Sequence, residues 1–164
     1  AENTKLQIPK LNDYILNYKK CLDYATKNNM EIVNGLYDNL FSPCYDYCSA
    51  ATGQKLVVTP ESLITRCYEV QGLEDKVMKS FIVGKVKDGK IIFNAKKQKC
   101  MDGILKKVRM HCKDCFAKYI CSSGCTIRTY RHILNENFDL SYRCNLAKEL
   151  IADAIFRSWN EDAN

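Results

Sequence analysis

Ten of the 164 residues are cysteine, and the dense run His111-Cys112-Lys-Asp-Cys115-Phe-Ala-Lys-Tyr-Ile-Cys121-Ser-Ser-Gly-Cys125 reads C-x2-C-x5-C-x3-C. Cys144 follows nineteen residues later. This usage constrains the fold more than any other feature. A reducing cytosol does not let thiols serve as disulfides, so either the protein is exported or its thiolates hold metal. A C-x2-C step on a turn aims two sulfurs at one metal, and the remaining ligands come from farther along the chain. Upstream, Cys44-x3-Cys48 precedes a predicted hairpin and Cys67 closes it, returning a third sulfur toward the first two. Eight of the cysteines fit two four-thiolate sites. Spacing alone leaves an iron–sulfur cluster, zinc and disulfides open. Four thiolates make a dianion of either a 4Fe–4S core or a zinc ion, so the surrounding positive charge does not choose between them.

Length sets the frame for these sites. At roughly 100–200 residues per domain the chain holds one domain, with room for an appended segment. Charged residues are 27% and hydrophobic ones 46%, which excludes wholesale disorder. No run approaches the roughly 18 apolar residues of a membrane span, and the start at Ala1-Glu-Asn-Thr-Lys5 has no apolar signal core behind it. The expectation is a soluble, cytoplasmic fragment or mature form with no membrane partner. Net charge is +6, but residues 85–131 alone carry thirteen basic and three acidic residues, a local +10. Aromatics are not interleaved with those charges as a base-stacking surface requires, so nucleic acid is not the expected partner.

Periodicity predicts an α+β fold built of small β-hairpins and helices. Leu11, Tyr14/Ile15, Tyr18, Cys21/Leu22 and Ala25 share one face of a helix, with Asn12 or Asp13 as its cap and Asn28-Asn29 as its stop. That face needs a neighbour to bury against. Met30 to Val33 reads as a short strand before a turn at Asn34-Gly35. Lys55–Thr59, a turn at Pro60-Glu61-Ser62 and Leu63–Cys67 make one hairpin. Phe81–Val86, Asp88-Gly89 and Lys90–Phe93 make another, whose Asp-Gly tip favours a primed turn. Ala95–Val108 and Asn145–Trp159 read as helices.

At Cys48-Ser-Ala before Leu-Val-Val-Thr-Pro, at Phe81-Ile-Val-Gly-Lys-Val and at Cys112-Lys-Asp-Cys-Phe-Ala-Lys-Tyr-Ile-Cys, the words around the cysteines are specific. With the cysteine order they resemble the SPASM domain, the auxiliary extension of radical S-adenosylmethionine enzymes that modify peptides and proteins. The likeness covers about residues 44–150. It implies a helical bridging segment over 1–43, leading from a radical SAM barrel in the parent chain, and an auxiliary cluster domain over 44–164 that ends in the C-terminal helix. It also implies two 4Fe–4S clusters with interleaved ligands. Cys44, Cys48, Cys67 and Cys125 would hold the first cluster, and Cys112, Cys115, Cys121 and Cys144 the second. The clusters would carry electrons away from a substrate radical or engage a peptide or protein substrate. Where the family usually has Gly, five residues before the cysteine matched to Cys67, this chain has Ser62.

The radical site itself needs C-x3-C-x2-C. Cys44-x3-Cys48 begins that pattern, but Ala51 stands in the third place, so the chain alone has no binding site for S-adenosylmethionine and no catalytic residue is assigned. Rival classes are a structural four-cysteine zinc module and a metal-stabilised, basic nucleic-acid-binding domain. Cys21 reads as a buried structural residue, Cys100 as a spare thiol, and His111 as an outward-facing neighbour of a ligand. Tyr45, Tyr47, Tyr68 and Tyr119 are expected to pack beside the clusters.

Overall fold

The computed structural model describes residues 7–70, 73, 75–136 and 139–162; the start at Ala1–Lys5 lies outside them. The fold is α+β. The chain divides into two compact units, one of Ala1–Ser42 with Ser141–Asn164 and one of Pro43–Leu140. The first break falls where the composition changes at Pro43. The C-terminal helix, expected within a 44–164 domain, belongs instead to the unit of the first helix.

In the helical unit, α1 (Leu11–Lys27) and α6 (Ser141–Asp162) pack together, with the short α2 (Gly35–Asp38) against α6. On α6 the buried residues Ala147, Leu150, Ile151 and Ala154 recur at helical spacing and form one stripe. On α1 the buried or half-buried stripe is Leu11, Ile15, Tyr18, Leu22 and Ala25, which passes one residue to the side of Cys21. Cys21 is therefore exposed, against the expectation of burial. Polar contacts run along the same pair of helices. Lys19 meets Asp153 at 3.0 Å, and Arg157 meets Asp153 at 2.7 Å and Asp23 at 2.8 Å. Burial works against the Arg157 charge, but its hydrogen bonds to both carboxylates outweigh that cost and hold its proton more firmly than usual.

The ends of α1 divide the sequence expectation. Neither Asn12 nor Asp13 caps it: the N-cap is Lys10, with no side-chain cap bond. Its stop is as expected. Asn29 turns left-handed at φ 52°, Met30 N–H reaches Ala25 O at 2.9 Å, and Asn29 N–H reaches Thr26 O, a Schellman motif with asparagine in the position that favours glycine. Residues 30–33 then form no strand, because no other strand lies alongside to pair with them. Asn34 Oδ1 instead accepts from Leu36 N–H at 3.0 Å and starts α2.

In the cysteine unit, β1 (Val57–Val58), β2 (Leu63–Thr65), β3 (Ile82–Lys87) and β4 (Lys90–Phe93) join the two expected hairpins into one antiparallel sheet in the order β1-β2-β3-β4. Asp88 at φ 50° and Gly89 at φ 68° make the primed turn between β3 and β4. Gly84 on β3 has a packing reason: a Cβ there would stand 2.5 Å from the Ile92 carbonyl of β4. Three helices complete the unit, α3 (Lys76–Ser80), α4 (Ala95–His111) and α5 (Thr126–Ile133). Phe81, Ile64, Ile82, Val83, Met101 and Ile127 are its most deeply buried side chains, so the core lies between the sheet and helices α4 and α5. Asp75 caps α3 by accepting from Val77 N–H at 2.8 Å and Met78 N–H at 2.9 Å, and it pairs with Arg131 of α5. That guanidinium hydrogen bond, with the cap bonds, holds the Asp75 carboxyl below its ordinary range.

Candidate metal centre

Cys67 leaves β2 at the edge of the core and is buried. Its backbone is fixed through Thr65: Cys67 N–H donates to Thr65 Oγ1 at 3.1 Å, and the same hydroxyl reaches Cys67 O at 3.4 Å. Glu69 N–H points at Cys67 Sγ from 3.4 Å, the kind of N–H···S contact that stabilises a metal-bound thiolate. Cys48 and Cys125 pack against the same core cluster. Burial, above all, pushes the Cys67 thiol up to about 11; the Glu69 N–H pulls the other way, and nearby Cys125, Glu69 and Cys48 add repulsion. Three of the four cysteines expected on the first cluster therefore lie within electrostatic reach of one another.

Cys44, the fourth, is tied to the dense run from 78 residues away. Its N–H donates to Tyr119 O at 2.9 Å, its sulfur lies 2.7 Å from Ser122 Oγ, and Ser122 Oγ donates to Cys44 O at 3.0 Å. Ser122, Ser123 and Gly124 stand at φ 54°, 62° and 64°, three successive left-handed residues between Cys121 and Cys125. Two of them are not glycine, a strain of order 1 kcal/mol each that surrounding bonds must hold in place. Gly124 N–H to Cys121 O at 3.0 Å and Thr129 Oγ1 to Ser123 O at 3.0 Å are two of those bonds. The loop delivers Cys125 to the N-cap of α5.

Cys112 is the C-cap of α4, and Cys115 N–H donates to Cys112 O at 3.0 Å, so the C-x2-C step does sit on a turn. Cys121 follows in the same loop, its N–H on Ala117 O at 2.8 Å. Cys112, Cys115 and Cys121 are all half-buried in this unit, while Cys144 is half-buried on α6 of the other. Cys100 is exposed on α4, and His111 is exposed, as expected of an outward-facing residue. The only two histidines of the chain, His111 and His132, meet edge-on at 5.4 Å between ring centres. The four tyrosines expected to pack beside the clusters, Tyr45, Tyr47, Tyr68 and Tyr119, are exposed, with Tyr45 set edge-on to Tyr119 at 5.4 Å.

Two ion pairs brace the cysteine segments from afar, and local sequence patterns do not announce them. Arg128, one turn into α5, holds Glu69 at 2.8 Å and so joins the residues beside Cys125 to those beside Cys67. Arg109 of α4 holds Asp46, between Cys44 and Cys48, with Nε at 3.0 Å from the carboxylate.

Among the described residues no disulfide joins the cysteines, and no group of three or more His, Cys, Asp or Glu side chains is disposed to hold a metal ion. The donor chemistry fits a thiolate-bound group all the same: soft sulfur donors, an apolar core behind Cys67, and the Glu69 N–H aimed at its sulfur. No helix among the described residues is long and apolar enough to cross a membrane. Comparison with protein-family models, curated proteins and solved structures finds no match to this chain.

Proposed function

We propose that the chain is a SPASM-like auxiliary domain that binds two 4Fe–4S clusters and serves electron transfer and substrate engagement in a radical SAM peptide or protein maturase. The observation that carries this reading is that Cys48 and Cys125 pack against the core cluster that contains Cys67 and lie within its electrostatic reach, with Cys44 pinned beside the same run through Ser122. Ser62 adds a second support: at φ 60° it occupies the left-handed backbone that explains the family's preference for glycine there.

In this reading Cys44, Cys48, Cys67 and Cys125 hold the first cluster, and Cys112, Cys115 and Cys121 hold three corners of the second. Cys144 as its fourth ligand rests on the resemblance alone. When bound, the clusters supply one-electron redox chemistry. The chain's own residues bury Cys67, direct the Glu69 N–H to its sulfur and fix the 121–125 loop. Because Cys67 is held as a neutral thiol, loading must release its proton, so assembly is favoured as pH rises.

Anaerobic reconstitution with iron and sulfide, followed by metal and sulfide analysis, tests the proposal. About eight iron and eight sulfide per chain, with broad visible absorption, are expected. Stoichiometric zinc with no iron uptake under those conditions would replace it with a structural zinc module. The chain alone is expected to produce no 5′-deoxyadenosine from S-adenosylmethionine.

A further inference from the structure

β4 is the last strand of its sheet, and its outer edge carries unused hydrogen-bonding groups. The phase follows from the register. Lys87 pairs with Lys90 across the primed turn and Lys85 pairs with Ile92, and Asn94 N–H continues the series by donating to Val83 O at 2.8 Å. On the opposite side Val86 N–H turns to Ser62 O at 2.7 Å. Ile91 and Phe93 therefore point their N–H and C=O groups away from β3. Among the described residues nothing bonds to them there.

The two faces of this hairpin differ in chemistry. Val86, Ile91 and Phe93 share one face with Gly84, and Lys85, Lys87 and Lys90 share the other with Ile92. Ile91, Ile92 and Phe93 are 53%, 45% and 45% exposed, an apolar run of the kind that edge strands usually avoid. Residues 85–99 hold six lysines and one acidic residue, Asp88. All six lysines are exposed, and among the described residues none of them forms an ion pair. Lysine at an edge often serves to repel other strands. Here the charge repels a second copy of the same edge, while three consecutive apolar residues keep the edge open to a strand of opposite charge.

We propose that the open edge of β4 takes an extended acidic peptide segment as a fifth strand. Apolar side chains of that segment would lie beside Ile91 and Phe93, and alternating carboxylates beside Lys90, on the face that Lys85 and Lys87 of β3 share. Main-chain bonds supply affinity in this mode, and the alternation supplies selectivity. Within the function proposed above, this names the substrate class as an acidic peptide; the hairpin geometry itself stands without that reading.

Fluorescence anisotropy on the full chain, with a labelled octapeptide of alternating glutamate and valine, tests it. Binding should weaken as salt is raised. It should fall at least about tenfold when alternate peptide amides are N-methylated, which removes the bonds to the edge and leaves the protein unaltered. The Ile91→Pro variant, which loses an outward N–H and keeps the β3 pairing, should show a similar loss, and a lysine–valine peptide should not bind. Absent binding of the acidic peptide, or equal binding of its methylated form, overturns the proposal. So does oligothymidylate, an anionic vesicle or self-association occupying the hairpin in its place. Iron measured on the same samples separates the two proposals: a chain with clusters and no peptide binding fails only here, and one with peptide binding and no iron fails only in its cluster assignment.

Discussion

In the helical unit, α6 offers Ala147, Leu150, Ile151 and Ala154 to a narrow stripe of α1, and an ion-pair seam of Lys19, Asp23, Asp153 and Arg157 runs beside them. The cysteine unit closes Ile64, Phe81, Ile82, Val83, Met101 and Ile127 into one core, and hangs its thiol loops on that core. In the helical unit, by contrast, the buried apolar side chains among the described residues are Ala25, Ala147, Leu150, Ile151 and Ala154, three of them alanine. Burial of a full aliphatic side chain contributes roughly 1.5–3 kcal/mol, and a partly exposed ion pair about 1 kcal/mol or less. The helical unit should therefore open first, and the cysteine unit should set the stability of the proposed first cluster site.

The largest test of that contrast is Phe81→Ala, which empties the fully buried centre of the cysteine unit. A loss of about 3–5 kcal/mol in anaerobic urea unfolding is expected, with the iron content collapsing alongside it. A variant that keeps both would place the stabilising core elsewhere. Asp153→Asn should cost less, about 1–2 kcal/mol, because it disconnects Lys19 and Arg157 together. Its loss should appear in an early helical transition by circular dichroism that leaves the absorption of the first proposed cluster unchanged. Coincident loss of both signals would mean that the two units unfold as one.

A smaller effect is expected at Asp75, where Asn keeps the cap and removes the charge facing Arg131. The folded carboxyl lies below its unfolded value, near 3.9, so its ion-pair contribution is fully present above that value and is lost as pH falls through the depressed one. Wild type and Asp75→Asn should thus differ by about 1 kcal/mol or less at neutral pH and converge in acid. A constant difference across that range would assign the effect to the cap alone. Smallest of all, Ser62→Gly should stabilise the β1–β2 hairpin by up to about 1 kcal/mol, since Ser62 stands at φ 60°. A destabilised variant would show that the Ser62 side chain offsets its own strain.

Short-range patterns in the sequence foretell the hairpins, because Asp88-Gly89 dictates a primed turn and the flanking strands are β-branched or aromatic. They also foretell α4, where Gly103 is tolerated with open space around it. They miss α5. Its residues, Thr126–Ile133, are poor helix formers by propensity, it starts at a cysteine rather than a usual capping residue, and its stability comes from packing on α3 and α4. Met30–Val33 misleads in the opposite sense, since β propensity without a partner strand makes no sheet. The candidate ligands were legible because cysteine spacing is itself a chemical pattern. What orients them was not: Glu69–Arg128, Asp46–Arg109 and Cys44–Ser122 join residues 59, 63 and 78 positions apart.

The proposed ligand set is tested most directly by the iron content of single-cysteine variants reconstituted side by side without oxygen. Cys125→Ala and Cys67→Ala should each lose about half of the wild-type iron, the share of one cluster of two, while Cys100→Ala and Cys21→Ala keep all of it. Full iron in Cys67→Ala and Cys125→Ala, or an equal loss in Cys100→Ala, would contradict the ligand set.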